Sequence, residues 1–333
     1  MARTKVLVVD DSLTMRALLC GALERVPGVE IVGLADGAAE AREMVQSLKP
    51  EVMTLDIEMP GMSGLEYLKE IMETKPMPVI MFSTRTTDGA SESIEALRLG
   101  AVACLPKPKV AAPKELDAII AKLGKIIGTA KNARLPTVGG AKSTGKSAPI
   151  NWNGRLTVVG ADASGTQSLF NLFEQMPEDC PPMLVVQHLE PGMVQGMAEK
   201  LDSQIAPRVL VADADMPIEK GTIYFAPQGE AHMVVSAWPD GQLKLLPRDP
   251  VAGERPSISL LFASAAKAAT VDTVGLLLSD SDDAKGGANA ISGVRGHCIS
   301  ANAGGGYTLE RGFASQEVKP ADLTKTLTGL LSK

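Results

Sequence analysis

The feature that most constrains this chain is a short apolar run that ends on a carboxylate and breaks at Pro-Gly: Val52-Met53-Thr54-Leu55-Asp56-Ile57-Glu58-Met59-Pro60-Gly61. A run of that length, bounded by turn residues, is how a buried parallel strand delivers one acid to the rim of a sheet. Val6-Leu7-Val8-Val9 ends the same way, on Asp10-Asp11, and the segment between the two runs has the period of a crossover helix. Asp10, Asp11 and Asp56 then share one sheet edge. Like charges that close repel unless a hard divalent cation sits among them, so the cluster predicts a Mg²⁺ site.

Two more strand ends join it. Val79-Ile80-Met81-Phe82 ends on Ser83, and Val102-Ala103-Cys104-Leu105 leads to Lys107, held between Pro106 and Pro108. In an open parallel sheet, groups beyond the carboxyl ends of the strands converge in one crevice. A nucleophilic acid, a cation-binding acid pair, a hydroxyl and an ammonium are the parts phosphoryl transfer needs. With helices expected over Leu13 to Val26, Ala38 to Leu48, Leu65 to Glu73, Ser91 to Leu99 and Pro113 to Ile127, and a strand over Val29 to Val32, the first part reads as a complete doubly wound domain.

On these residues the first 122 positions resemble a two-component receiver domain. The resemblance implies that Asp56 takes a phosphoryl group from a histidine kinase, that Asp10 and Asp11 hold Mg²⁺ with it, and that Ser83 and Lys107 bind the phosphoryl oxygens. Cys104 stands where many receivers carry an aromatic switch residue.

A length of 333 residues suits two domains. The four cysteines lie far apart, so neither a disulfide framework nor a zinc site is indicated. Residues 2 to 5 pass directly into the first strand and no apolar run approaches a membrane span, so the protein is expected to be cytoplasmic, with no membrane insertion. A net charge of −6 and few aromatics argue against a nucleic-acid surface and for protein partners.

Residues 123–154 form the expected linker, rich in Gly, Ser, Thr, Lys, Ala and Pro. Gly140-Ala141-Lys142-Ser143-Thr144-Gly145-Lys146-Ser147 fits the P-loop pattern, but no good strand precedes it and Pro149 spoils the helix that should follow. Nucleotide binding is not expected there, because a P-loop works only through that context.

The second domain, 155–333, opens with Leu156-Thr157-Val158-Val159, a small-residue loop from Gly160 through Asp162 and Ser164 to Thr166, and a helical segment. Met183-Leu184-Val185-Val186 ends on Gln187-His188, and Gly275-Leu276-Leu277-Leu278 ends on Ser279-Asp280-Ser281-Asp282-Asp283. Loop acid or hydroxyl, histidine and carboxylate at three strand ends follow the logic of nucleophile, base and orienter. Ile223 to Pro227, His232 to Val235 and Gln242 to Leu246 read as short antiparallel strands, the last two joined at Pro239-Asp240-Gly241. His232 is expected to serve the fold and His297 to lie on a surface loop. The overall expectation is α/β: two doubly wound parallel-sheet domains joined by a flexible linker.

Gln187-His188 followed by Pro191-Gly192-Met193, the segment from Ala226-Pro227 to His232-Met233, and Arg255-Pro256-Ser257-Ile258 resemble the chemotaxis protein-glutamate methylesterases, the CheB family. That resemblance implies hydrolysis of methyl esters on chemoreceptor glutamates, and deamidation of receptor glutamines, through an acyl-serine intermediate. It also implies a CheA-like kinase and chemoreceptor cytoplasmic tails as partners, a receiver whose phosphorylation relieves a blockade, and no cofactor in the C-terminal domain. The family's loop reads Gly-Ala-Ser-Thr-Gly-Gly, and aligning it on Gly160-Ala161 and Thr166 puts Asp162 where the serine belongs, with Ser164 two residues on. Asp283 matches the triad aspartate only if one residue is deleted, and the oxyanion-pocket methionine has no counterpart. Two readings stay open: a working or re-routed hydrolase using Ser164 or Asp162 with His188 and Asp283, or a phosphorylation-controlled binding module that cleaves nothing.

Overall fold

A computed structural model of the chain describes residues 3–83, 87–107, 113–130, 149–190, 192–301 and 315–333. The chain divides into two compact units, Met1–Gly139 and Gly140–Lys333.

In the first unit, strands alternate with helices: β1 (Thr4–Val9), α1 (Leu13–Leu23), β2 (Val29–Ala35), α2 (Ala38–Leu48), β3 (Val52–Asp56), α3 (Gly64–Thr74), β4 (Val79–Ser83), α4 (Thr87–Arg98), β5 (Ala103–Pro106) and α5 (Pro113–Ala130). The strands pair in parallel in the order β2-β1-β3-β4-β5. Chain order reverses between β1 and β3, so the crevice of the sheet opens between their carboxyl ends. Val9 pairs with Leu55, which sets Asp10 against Asp56. Every residue of β3 is buried, as a strand covered on both faces must be. Val6, Val8, Val52, Ile80 and Phe82 meet Leu19 and Leu23 of α1 and Leu123 and Ile127 of α5 in one core. The helix expected over Pro113 to Ile127 runs on to Ala130, so residues 123–130, also counted with the linker, belong to α5: Leu123 and Ile127 have no exposed surface.

The second unit runs β6 (Leu156–Asp162), α6 (Thr166–Phe173), β7 (Met183–His188), α7 (Met193–Gln204), β8 (Arg208–Val211), β9 (Met216–Pro217), β10 (Thr222–Phe225), β11 (His232–Ala237), β12 (Gln242–Leu246), α8 (Ile258–Ala269), β13 (Thr273–Leu277), α9 (Lys285–Gly293), β14 (His297–Ser300), β15 (Gln316–Glu317) and α10 (Leu323–Leu331). Its main sheet is parallel, in the order β15-β14-β13-β6-β7-β10-β8. The chain fills one side of β6 and then the other, which puts the switch point between β6 and β13.

Three expectations change. Ile223 to Phe225 belongs to this parallel sheet as β10, because all its residues are buried and a strand covered on both faces suits the sheet's interior. Among the described residues, β11, β12 and β9 form the one antiparallel sheet. His297 starts β14, paired with Val274, and does not lie in a loop. The end of the expected linker is part of the second unit as well: Trp152 packs edge-on against Trp238 at 6.0 Å, and Asn153 N–H donates to Leu331 O. The P-loop-like stretch lies outside the described residues.

Candidate functional site

Asp56 closes β3 with no exposed side-chain surface, and Lys107, just past β5, reaches it with an Nζ to Oδ2 distance of 2.6 Å. Glu58 N–H donates to Asp56 Oδ1 at 3.2 Å. Asp10, Asp11 and Asp56 each present a carboxylate oxygen within 4.8 Å of the others. Burial pushes Asp56 up to about 6 even though the hydrogen bond from Lys107 pulls the other way, and burial also raises Asp10. The Lys107 ammonium is itself held above its ordinary value: burial opposes this, but the hydrogen bond to Asp56 and the charges of Asp56, Asp10 and Glu58 outweigh it. Acids crowded this closely, with Lys107 the only cation among the described residues to reach one of their carboxylates and Arg16 held on the Asp10 and Asp11 carbonyls, suit a divalent ion. Asp10 Oδ2 supports that fit, being buried and without a hydrogen-bond partner among the described residues. An oxygen-only donor set is the kind Mg²⁺ takes. Ser83 closes β4 opposite Pro106, at the same sheet edge, but its side chain lies outside the described residues.

Behind this edge, α3 starts at Gly64 under a capping box: Glu66 N–H donates to Ser63 Oγ, and Ser63 N–H to Glu66 Oε2. The helix comes so close that a Cβ on Gly64 would lie 1.9 Å from Asp56 O. Gly64→Ala must therefore move the strand end that carries the acid. The expected result is a loss of about 1–3 kcal/mol, from overpacking, in denaturant unfolding. Phosphoryl uptake should slow in the folded fraction.

Cys104 is buried, its thiol pushed up to about 12 by burial, and it contacts Ser93 O at 3.5 Å. It fills a core position.

In the second unit the expected residues meet at the switch point. Asp162 ends β6, paired across the sheet with His188 at the end of β7, and Asp162 N–H donates to Ser279 Oγ just beyond β13. Gln187 Nε2 donates to Asp162 O at 2.7 Å, locking the two strand ends together. Asp162 does not approach His188 as an ion pair; its Oδ1 accepts from both the N–H and the hydroxyl of Ser164. The carboxylate thus caps the short 3-10 turn Ala163–Gly165. The Ser164 hydroxyl donates to Asp162, so His188 and Ser164 do not form a nucleophile and base pair among the described residues.

Asp283 does come to His188. It sits in the 3-10 turn Asp282–Ala284, almost fully buried, with Oδ2 3.9 Å from His188 Nε2. Its carboxylate accepts from Ser257 Oγ at 2.6 Å and from Ile258 N–H at 2.5 Å, at the first turn of α8. The start of a helix suits an anion, yet burial holds Asp283 above the usual carboxylate range, against the hydrogen bonds from Ser257 and Ile258. Ser259 Oγ donates to Asp283 O, and His232, fully buried, accepts from Ser257 N–H at Nδ1. His232 thus serves the fold, as expected.

His188 Nε2 lies 2.9 Å from Pro256 O. A carbonyl only accepts, so Nε2 carries the hydrogen and Nδ1 keeps the lone pair in the neutral ring. Glu254 Oε2 stands 4.0 Å from that Nδ1. Ser257, Glu254 and the Pro256 carbonyl escape a reading of spacing alone. The one signal for Ser257 is a serine after proline, just ahead of an apolar helical run, which marks an N-cap.

The chain matches the family model described as CheB methylesterase over residues 157–304 and that described as response regulator receiver domain over residues 6–121. It is 40% identical over 286 residues to a protein-glutamate methylesterase/protein-glutamine glutaminase 1 of Caulobacter vibrioides, spanning 84% of this chain and 81% of that protein. A protein of the same name from Rhizobium johnstonii is 38% identical over 278 residues, spanning 84% and 80%. The fold also resembles the crystal structure of the Thermotoga maritima CheB methylesterase catalytic domain, with a TM-score of 0.50 and 24% identity, over 54% of this chain and 99% of that one.

Proposed function

Because the chain belongs to the protein-glutamate methylesterase/protein-glutamine glutaminase family, as a CheB-type response regulator with a receiver and a methylesterase domain, we propose that phosphorylation of Asp56 controls a C-terminal site that hydrolyses chemoreceptor side chains without an acyl-serine. Asp56 would attack the phosphoryl group of a CheA-like histidine kinase. Asp10, Asp11 and Asp56 would hold Mg²⁺, which when bound offsets charge on the phosphoryl oxygens. Lys107, already on Asp56, and Ser83 at the neighbouring strand end would then bind those oxygens. The substrates would be glutamine and methylglutamate side chains on receptor cytoplasmic tails, so the protein would work in the cytoplasm. Among the described residues no helix is long and apolar enough to cross a membrane.

The observation that carries this reading is the division of partners at the switch point. Ser164 is bonded to Asp162, while His188 keeps a basic nitrogen and has the buried Asp283 on its other side. A carboxylate at position 162 has no proton to give His188, and attack by it would form an anhydride, a poor intermediate for ester turnover. Water is the better nucleophile. His188 Nδ1 takes a proton from water as its oxygen adds to the substrate carbonyl, then returns it to the departing ammonia or methanol. Asp283 faces the charge the ring acquires, and the Pro256 carbonyl holds its orientation.

The test is the full chain with a methylated, glutamine-bearing receptor fragment, with and without a beryllofluoride mimic and Mg²⁺. Slow release of methanol and ammonia, faster with the mimic and lost in His188→Ala, is expected. Release that survives His188→Ala, or that vanishes in Ser164→Ala while His188→Ala keeps it, would remove His188 from this role.

A further inference from the structure

A cavity of about 200 Å³ opens beside His188, walled by Leu189, Gly192, Gln228, Glu254, Arg255 and Pro256. It is large enough for the end of one side chain and too small for a folded partner. The polar atoms of the residues that wall it are unevenly divided. Gln228 Nε2 donates to Leu189 O at 2.6 Å, and because only the amide nitrogen can donate to a carbonyl, the orientation of that amide is settled and Oε1 is left as an acceptor. Oε1 is buried and has no hydrogen-bond partner among the described residues. His188 Nδ1 is a second acceptor, since Nε2 is committed to Pro256 O. Glu254, with half its side chain exposed and 4.0 Å from Nδ1, is a third. Against these stands one buried donor without a partner among the described residues, Arg255 Nε.

We propose that this pocket selects a primary carboxamide, the end of a glutamine side chain, over a methyl ester, with Gln228 and Glu254 as the specificity-determining residues. The inference rests on the reading that this domain takes receptor side chains. A carboxamide brings two N–H donors, for Gln228 Oε1 and Glu254, and one carbonyl acceptor for Arg255 Nε, which leaves His188 Nδ1 for water. A methyl ester brings acceptors and a methyl, so Gln228 Oε1 would stay buried and unpaired. A carboxylate brings only acceptors and meets the charge of Glu254. Sites whose buried polar groups are left unpaired by the wrong ligand discriminate far more strongly than sites that merely fit its shape.

The experiment titrates the full chain, treated with beryllofluoride and Mg²⁺, with three receptor-tail peptides identical except for one residue: glutamine, glutamate γ-methyl ester or glutamate. Isothermal titration is expected to show the glutamine peptide binding at least about tenfold tighter than the ester, one well-made buried hydrogen bond being worth about that factor. Gln228→Met should erase most of that preference by weakening the glutamine peptide alone. Glu254→Gln, at a half-exposed position, should narrow it without disturbing the fold. Equal affinity for the three peptides, ester binding tighter than glutamine, or equal losses for both in Gln228→Met would overturn the proposal. Its fate is separable from that of the hydrolysis. A glutamine preference with no ammonia or methanol released leaves the selectivity standing and sinks the chemistry, whereas release of both products with no preference in binding does the reverse.

Discussion

Incubated with a small phosphodonor and Mg²⁺, the wild-type chain is expected to gain one acid-labile phosphoryl group, and Asp56→Asn none. Intact-mass measurement reads the difference as all or nothing. An amide oxygen is a far weaker nucleophile than a carboxylate and makes no stable acyl phosphate, while asparagine is nearly isosteric with aspartate. The substitution should leave the fold intact for a further reason. The Asp56 carboxylate is pushed up to about 6 by burial, with the charge of Asp10 adding to it. A group whose folded value is raised binds its proton more tightly in the folded chain, so its contribution to stability falls as pH rises from about 4 through about 6. At neutral pH the folded protein therefore holds this charge at a cost, and Asp56→Asn is expected to unfold at no lower temperature than wild type in the absence of Mg²⁺. A phosphoryl group appearing on Asp56→Asn would move the acceptor elsewhere. Uptake by wild type without any divalent ion would count against the carboxylate cluster as the cation's seat.

Asp162→Ser carries the second large effect: methanol release from methylated receptor should rise by about 10²- to 10⁴-fold, a partial recovery of the roughly 10⁶-fold that a triad nucleophile supplies. The argument is positional. Asp162 pairs across the sheet with His188, and the two strand ends are locked by Gln187 and Ser279. A serine hydroxyl there faces an imidazole that already has Asp283 3.9 Å from Nε2. The same change frees Ser164 from its carboxylate partner and removes the cap on the 3-10 turn, a loss of about 1 kcal/mol that a serine hydroxyl partly makes good. Rate and stability should therefore move separately. A double variant, Asp162→Ser with His188→Ala, should lose release altogether, since both routes need the imidazole. No gain from Asp162→Ser, in a protein that still binds the receptor fragment, would show that the geometry of the pocket has departed from acyl transfer in more than this one residue.

How far residues alone carried the reading can be seen at single positions. Asp10, Asp56 and Lys107 were legible because each ends or follows a short apolar run, and a parallel sheet brings such ends together whatever else the chain does. The same rule brought Asp162, His188 and Asp283 to one crevice. It failed for Ile223 to Phe225, since four apolar residues have no period that separates an inner parallel strand from a hairpin arm. It also stopped α5 three residues early, at Ile127, because Gly128 and Thr129 interrupt the apolar stripe, yet Ala130 is packed into the core.

By itself, then, the order of apolar runs and the polar residues that end them determined two open α/β sheets and the edges at which Asp10, Asp56 and Lys107, and Asp162 and His188, gather; that Asp162 stands where a serine is expected came from the family resemblance. The sheets and edges follow from local spacing and from a topology rule that does not depend on the details of packing. Which way each polar side chain turns was decided only in the tertiary structure. Asp162 bends to Ser164, Asp283 is gripped by Ser257 and Ile258 at the start of α8, and Gln228 commits its nitrogen to Leu189 and leaves its oxygen bare. Apart from the local Asp162–Ser164 turn, these partners come from segments 25 or more residues apart, and no local pattern in the chain encodes which of several reachable partners a buried donor will choose.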